Sequence, residues 1–326
     1  MRIKMTYDGE FVMRQTPAQS GIWGDHTFLE GPDVRECDAW VVYEQLQKPE
    51  TVVCDPARTV FVTGEPPSVR SYDPKFLSQF GAVVTPHEDI MHPIVFRQQP
   101  AIPWWVGRVE SENIQHVSRL DFDFFNGLET VPKSRLLSIV CSSKALTEGH
   151  RQRLQLVERL KKHFDDQVDV FGRGHKPFGD KWDVVQPYKY TVVLENCVYP
   201  DYWSEKVADA FLAQAYPLYS GCPNLSDYFP CESFERIDLE RPQETIATIT
   251  RVIESNTYEK ALPYIRASRE LVLNRYNVFP MVSELLYKLP SSQLRRVSLK
   301  PEWYFTAPPM LRLRRHVRSS LNQIFD

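Results

Sequence analysis

The feature that most constrains this chain is an alternation of short β-branched apolar runs with segments able to form helices. In the first third, "DAWVVYEQL", "RTVFVTGEPP" and "GAVVTPHED" each read as a strand that ends in a polar or Gly/Pro loop. A second run of the same rhythm starts at "RLLSIVCSSK", a buried strand over Leu136–Cys141. The segment after it is an amphipathic helix with apolar residues at Leu154, Leu156, Val157 and Leu160. "QVDVFGRG" and "YKYTVVLEN" follow as strands, "SEKVADAF" as a helix, and "YPLYSG" and "SFERIDL" as strands. Helical segments fill most of the chain from Pro242 to Leu289.

Such alternation implies parallel sheets with helices on both faces. Two such units in 326 residues predict an α/β protein of two Rossmann-like domains facing each other across a cleft. "VPKS" at Val131–Ser134 separates the two patterns. The expected division is 1–133, 134–295 and a basic tail over 296–326.

Composition narrows the function classes. A net charge of −3 with 25% charged residues carries no global nucleic-acid signature. The six cysteines show no C-x-x-C and no Cys/His set with zinc spacing. Free thiols in a reducing compartment are expected, with a Cys222–Cys231 bridge as the alternative. The N-terminus lacks the apolar core of a secretory signal, and no apolar run is long enough to cross a bilayer. A cytoplasmic protein is expected, and the sequon at Asn224-Leu225-Ser226 then arises by chance.

Ligands of open parallel sheets bind beyond the carboxyl ends of the strands, so chemistry belongs at the strand-exit loops. The richest is "LENCVYPDYWSEK". Glu195 and Asn196 stand at a strand's end, and Ser204 is a favoured N-cap for the helix that follows. Lys206 in the first turn opposes the helix dipole, so helix stability alone would not select it. An anion at the helix N-terminus would explain it. Tyr199 and Tyr202 can stack on a base or sugar, and Glu205 adds a carboxylate. The plainer reading is a capped helix with solvated charges.

In "VFGRGHKPFG", glycines flank Arg173, a side chain suited to bidentate contact with a pyrophosphate. An ordinary turn with solvated cations reads equally from the pattern. In "FVTGEPPSVR", Glu65 follows a strand and a Gly and precedes two prolines, a setting for a general base or simply for a turn. Asp121-x-Asp123 resembles the acidic pair of metal-dependent sugar transferases, but so short a triplet often arises by chance.

Taken together, these residues carry a resemblance. Tyr188, Leu194-Glu195-Asn196, Tyr202-Trp203-Ser204-Glu205-Lys206, Pro217 and Gly221-Cys222-Pro223 stand in the order and spacing of the donor-binding half of the α-1,3/4-fucosyltransferases, glycosyltransferase family 10. The likeness covers about Ser134 to Leu289, and is weaker in the first half, where it rests on "VFVTGEPPS".

The resemblance implies a GT-B fold and inverting transfer of L-fucose from GDP-β-L-fucose to a hydroxyl of a GlcNAc- or Glc-containing glycan, without an essential metal. It implies an acceptor-binding first domain and a donor-binding second one. Glu65 matches the base. Arg173 and Lys206 match the phosphate-contacting cations, Asn196 and Glu205 the contacts to donor hydroxyls, and Tyr202 the aromatic at the nucleotide. Glu195 would orient this cluster. Cations in these roles argue against a metal at Asp121 and Asp123. The alternatives are a same-fold transferase using another nucleotide sugar, and a non-catalytic nucleotide-sugar or glycan-binding protein.

The tail "APPMLRLRRHVRSSLNQIF" is basic and amphipathic. Leu313, Val317, Leu321 and Ile324 line one helical face, with Arg312, Arg315 and Arg318 largely elsewhere. It suits either packing against the first domain or peripheral contact with the inner face of an anionic membrane.

Overall fold

A computed structural model describes residues 1–7, 12–110, 116–143 and 148–306. In chain order its strands are β1 (Arg2–Thr6), β2 (Ile22–Trp23), β3 (His26–Leu29), β4 (Ala39–Tyr43), β5 (Glu50–Cys54), β6 (Thr59–Val62), β7 (Ala82–Thr85), β8 (Val95–Arg97), β9 (Arg108–Glu110), β10 (His116–Ser118), β11 (Arg135–Val140), β12 (Val168–Phe171), β13 (Tyr188–Leu194), β14 (Tyr216–Ser220), β15 (Glu235–Arg236) and β16 (Arg295–Leu299). The helices are α1 (Pro74–Leu77), α2 (Phe122–Asn126), α3 (Glu148–Phe164), α4 (Lys181–Val185), α5 (Glu205–Leu212), α6 (Pro242–Glu254), α7 (Thr257–Asn274), α8 (Val278–Lys288) and α9 (Trp303–Thr306).

The chain forms two compact α/β units. Among the described residues, the first carries a seven-stranded sheet in the order β2-β3-β1-β4-β6-β7-β8, parallel except for the short β2–β3 pair. β4, β6 and β7 are almost wholly buried, which is why their sequences are continuous apolar runs rather than alternating ones. One side of the core packs Trp40, Phe61, Phe76, Phe80 and Leu299, with Phe61 and Phe76 edge-to-face at 5.0 Å.

The second unit carries a five-stranded, all-parallel sheet in the order β12-β11-β13-β14-β15. Its order reverses between β11 and β13, so the crevice beyond those strand ends is where such a sheet binds ligands. β13 is buried along nearly its whole length, and α5 packs on β13 and β14.

The units do not divide at 133 and 295. The first comprises 1–10, 21–100 and 282–326, and the second 11–20 and 101–281. Residues 101–133 join the second unit because their core and polar groups belong there. Trp104 meets Phe125, Phe125 meets Trp182, and Gly107 N donates to Asp180 at 2.9 Å. Residues 282–306 join the first because β16 pairs antiparallel with β5. The basic amphipathic segment of the tail, expected to be helical, falls at 307–326 and lies outside the described residues. The strand expected at "SFERIDL" shortens to Glu235–Arg236.

Candidate functional site

β13 ends in a buried carboxylate. Glu195, 6% exposed, is held by its backbone N–H to Ser220 O at 2.9 Å. One carboxylate oxygen accepts the Ser204 backbone N–H at 2.9 Å, and the other accepts the Ser204 hydroxyl at 2.6 Å and Lys206 Nζ at 3.3 Å. Ser204 is the N-cap of α5 as expected, its Oγ accepting from the Lys206 N–H at 3.3 Å. Strand end and helix start are thereby tied through one carboxylate. Gly221 lets this happen, because a Cβ there would collide with the Glu195 side chain and the Tyr219 hydroxyl.

Glu205 and Lys206 pair at 3.4 Å. Burial pushes the Lys206 amine down, but Glu205 and Glu195 outweigh it and hold it above its ordinary value. Burial pushes the Glu205 carboxyl up, and Lys206 and then Lys181 bring it below the ordinary value. One turn along α5, the fully buried Asp209 accepts Lys181 Nζ at 2.7 Å and the Trp105 N–H at 2.8 Å. Both helix-start charges are therefore held ionised on a rigid element.

Beside this cluster, a cavity of about 490 Å³ opens at the carboxyl ends of β13, β14 and β15. Glu195 and Asn196 line it, together with Tyr219, Gly221, Arg153 and Arg236. Arg153, on α3, escaped the sequence reading. It is 7% exposed, its Nη1 reaches Asn196 Oδ1 at 3.4 Å, and its Nε–H is buried with no acceptor among the described residues. Burial lowers its pKa from the ordinary arginine value. A buried guanidinium with an unused donor, on a cavity wall, is equipped to receive an oxyanion.

The other expected donor residues lie around rather than in this wall. Tyr202 is buried in the loop before α5 and does not line the cavity. That loop is stapled from outside: Asp201 N–H donates to Asn224 Oδ1 at 2.9 Å, and the Asn224 amide donates to Asp201 at 2.7 Å. Asn224 thus spends its amide on the fold. Arg173 is exposed in the turn after β12 and is likewise not in the wall. The openness of Gly172, at φ 122°, serves a close approach to the Cys141 carbonyl after β11.

Glu65 belongs to the first unit and is half-buried after β6. Its loop is organised by Glu44, which the sequence reading also missed. Glu44 accepts the Glu65 N–H at 3.2 Å, the Tyr72 hydroxyl at 2.8 Å, the Gly64 N–H and Arg70. His87 Nε2 donates to the Glu65 carbonyl at 2.8 Å, and burial keeps that imidazole below its ordinary pKa, favouring the neutral ring.

Asp121 and Asp123 sit at a helix start, not on a strand. Asp121 caps α2 through the Phe124 N–H at 3.0 Å and accepts from Gln19 at 2.9 Å, and Asp123 accepts the Ala18 N–H at 2.8 Å. Both carboxylates are occupied in packing the 12–20 segment against α2. None of the six cysteines is in a disulfide, Cys222 and Cys231 included. No helix among the described residues is long and apolar enough to cross a membrane.

Residues 131–264 match the model of glycosyltransferase family 10 (fucosyltransferase), C-terminal part. Among curated proteins the chain is 26% identical, over 60% of its length and 61% of the other's, to a 3-galactosyl-N-acetylglucosaminide 4-alpha-L-fucosyltransferase of Pan troglodytes. It is 30% identical, over 35% of its length and 32% of the other's, to a 4-galactosyl-N-acetylglucosaminide 3-alpha-L-fucosyltransferase of Homo sapiens. The chain therefore spans less than two thirds of the length of these relatives. Among solved structures, an alpha1,3-fucosyltransferase with GDP-fucose is similar at a TM-score of 0.49 and 18% identity, covering 86% of this chain and 92% of that one.

Proposed function

We propose that the chain, whose residues 131–264 match the model of glycosyltransferase family 10, transfers L-fucose from GDP-β-L-fucose to a glycan hydroxyl. The observation that carries this reading is the cavity beyond β13–β15 beside the Glu195–Ser204–Lys206 cluster. It offers what a nucleotide diphosphate-sugar requires, a wall with a buried guanidinium at Arg153, a second arginine at Arg236, and a fixed carboxylate–amide pair at Glu195 and Asn196.

In this reading the acceptor hydroxyl attacks the anomeric carbon of fucose as the bond to GDP breaks, inverting the configuration there. Negative charge develops on the departing diphosphate, and Lys206 with Arg153 stabilises it. Arg173 joins them if its turn folds toward the donor. Asn196 and Glu205 take donor hydroxyls, Tyr202 lies toward the nucleotide, and Glu195 keeps Lys206 in place. Glu65 takes the acceptor proton. What supports that role is a rigid loop, with the backbone of Glu65 held by Glu44 and His87.

No metal is needed in this scheme, since the cations supply the charge and Asp121 and Asp123 are engaged in the fold. The curated relatives act on galactosyl-N-acetylglucosaminides, which makes a GlcNAc-containing glycan, linked α-1,3 or α-1,4, the proposed acceptor. Free thiols support a reducing, cytoplasmic setting. Peripheral membrane contact through residues 307–326 stays part of the proposal.

Calorimetry with GDP-fucose, GDP-mannose, UDP-sugars and GDP, paired with transfer to N-acetyllactosamine, tests the reading. Preferential GDP-fucose binding with transfer is expected. Preference for another nucleotide sugar would reassign the donor, and binding without transfer or hydrolysis would leave a binding protein.

A further inference from the structure

The first unit carries a second cavity, of about 560 Å³, walled by Lys4, Arg35, Lys48, Glu50 and Arg296 among others. Its charge is unusual for a chain with a net charge of −3. Lys4 and Glu50 satisfy each other at 2.9 Å, and Lys4 also lies 5.3 Å from the centre of the Trp40 ring. Arg35, Lys48 and Arg296 remain, and none of them is in an ion pair among the described residues. The wall thus holds an excess of three positive charges.

These cations come from separate pieces of chain. Arg35 precedes β4, Lys48 precedes β5, and Arg296 lies in β16. The backbone brings the two arginines together, because the Arg35 carbonyl accepts the Val53 N–H at 2.9 Å while Arg296 is the register partner of Val53 across β5–β16. The two arginine backbones, on either side of one strand, stand about two strand spacings apart, roughly 10 Å. Like charges converging on one concavity repel unless an anion sits among them. Lys4 is level with Trp40, near the start of β4, whereas Glu65 follows β6 beyond the level of Tyr43. The cavity is therefore not part of the Glu65 loop.

We propose that this cavity is an anion site that binds the phosphate or sulfate group of a small ligand, either as the free ion or as a saccharide ester. The volume admits such a group together with an attached sugar. Arginine forks suit tetrahedral oxyanions, and Lys4, itself buried, is held in the wall by its pairing with Glu50. The inference does not depend on the fucosyl-transfer reading.

Calorimetry on the full chain with inorganic phosphate, a hexose 6-phosphate and the unphosphorylated hexose tests it. Saturable binding of the two phosphate ligands, and none of the hexose, is expected. Tighter binding of the ester identifies a phosphosaccharide, and equal binding identifies the free ion. In the double variant Arg35→Glu/Arg296→Glu, whose side chains are exposed, affinity should fall at least about tenfold. Lys48→Glu should weaken it independently, which covers the case in which the double variant does not fold. With saturating GDP present to occupy the donor site, this binding should persist. Absence of saturable binding, unchanged affinity in the charge-reversed variants, or loss of binding in the presence of GDP would each overturn the proposal.

Discussion

Ser204 gives both its backbone N–H and its hydroxyl to Glu195, at 2.9 and 2.6 Å, one to each carboxylate oxygen. The hydroxyl also caps α5 through the Lys206 N–H. Ser204→Ala removes a cap and leaves a buried carboxylate short of a donor, a loss of about 1–3 kcal/mol. Ser204→Thr keeps the hydroxyl and should recover most of it. Thermal unfolding of the three proteins is the check, and equal midpoints for Ala and Ser would remove the tie between strand and helix.

Lys206→Ala should raise the Kd for GDP at least about tenfold, the scale of a lost charged hydrogen bond. Arg153→Ala should do the same, because its guanidinium already lines the cavity. Arg173→Ala should have the smaller effect, since its side chain is exposed. An Arg173 loss exceeding that of Arg153 would show that the turn after β12 closes over the nucleotide.

Glu65→Gln should cut kcat about 10²- to 10⁴-fold while leaving GDP affinity intact. Glu44→Gln should act at one remove, lowering kcat less and shifting its pH profile, because the Glu65 backbone loses a charged anchor. Full turnover in Glu65→Gln would transfer the base role elsewhere.

Acid should undo the Glu205 contribution. Its carboxyl titrates below the ordinary 4.5 in the folded chain, despite burial, because of Lys206 and Lys181. A depressed carboxylate stabilises the fold above its unfolded pKa, and that stability is lost as pH falls through the lower folded value. Glu205→Gln should therefore melt below the parent at pH 6, and the gap should narrow as pH drops toward 3. A gap that stays constant with pH would contradict the charge pairing.

Asp121→Ala should lower stability by about 1 kcal/mol through the lost α2 cap. Transfer activity should be indifferent to chelator in both proteins. Activity lost with chelator and restored by a divalent ion would reinstate a metal.

Much of the fold was legible because buried parallel strands write themselves as continuous β-branched runs. Thr59–Val62 and Tyr188–Leu194 are such runs, and Ser204 announced its helix. The β5–β16 pairing was not legible. "RRVSL" is a charged edge strand whose partner lies some 240 positions earlier, and no local pattern encodes so distant a contact. At the site, Glu195 and Asn196 stood out because polar residues ended an apolar strand. Arg153 did not, because one more arginine in an amphipathic helix reads as solvated surface, and only the packing of α3 shows it buried. Glu44 was hidden similarly. It follows a strand at φ 65°, where a loop acid looks unremarkable until its four donors are seen.

The β5–β16 pairing also orders how the protein can be made. During synthesis, nearly all of the second unit has emerged by Met281, before the ribosome reaches Arg295–Leu299. The first unit, although it leads the chain, must wait with the β5 edge and the Trp40–Phe61–Phe76 core unclosed until Leu299 arrives. The N-terminal unit is thus the last to be completed. A nascent chain stalled before β16 would present an open strand edge, the form most exposed to chaperone capture or to pairing with a neighbouring chain.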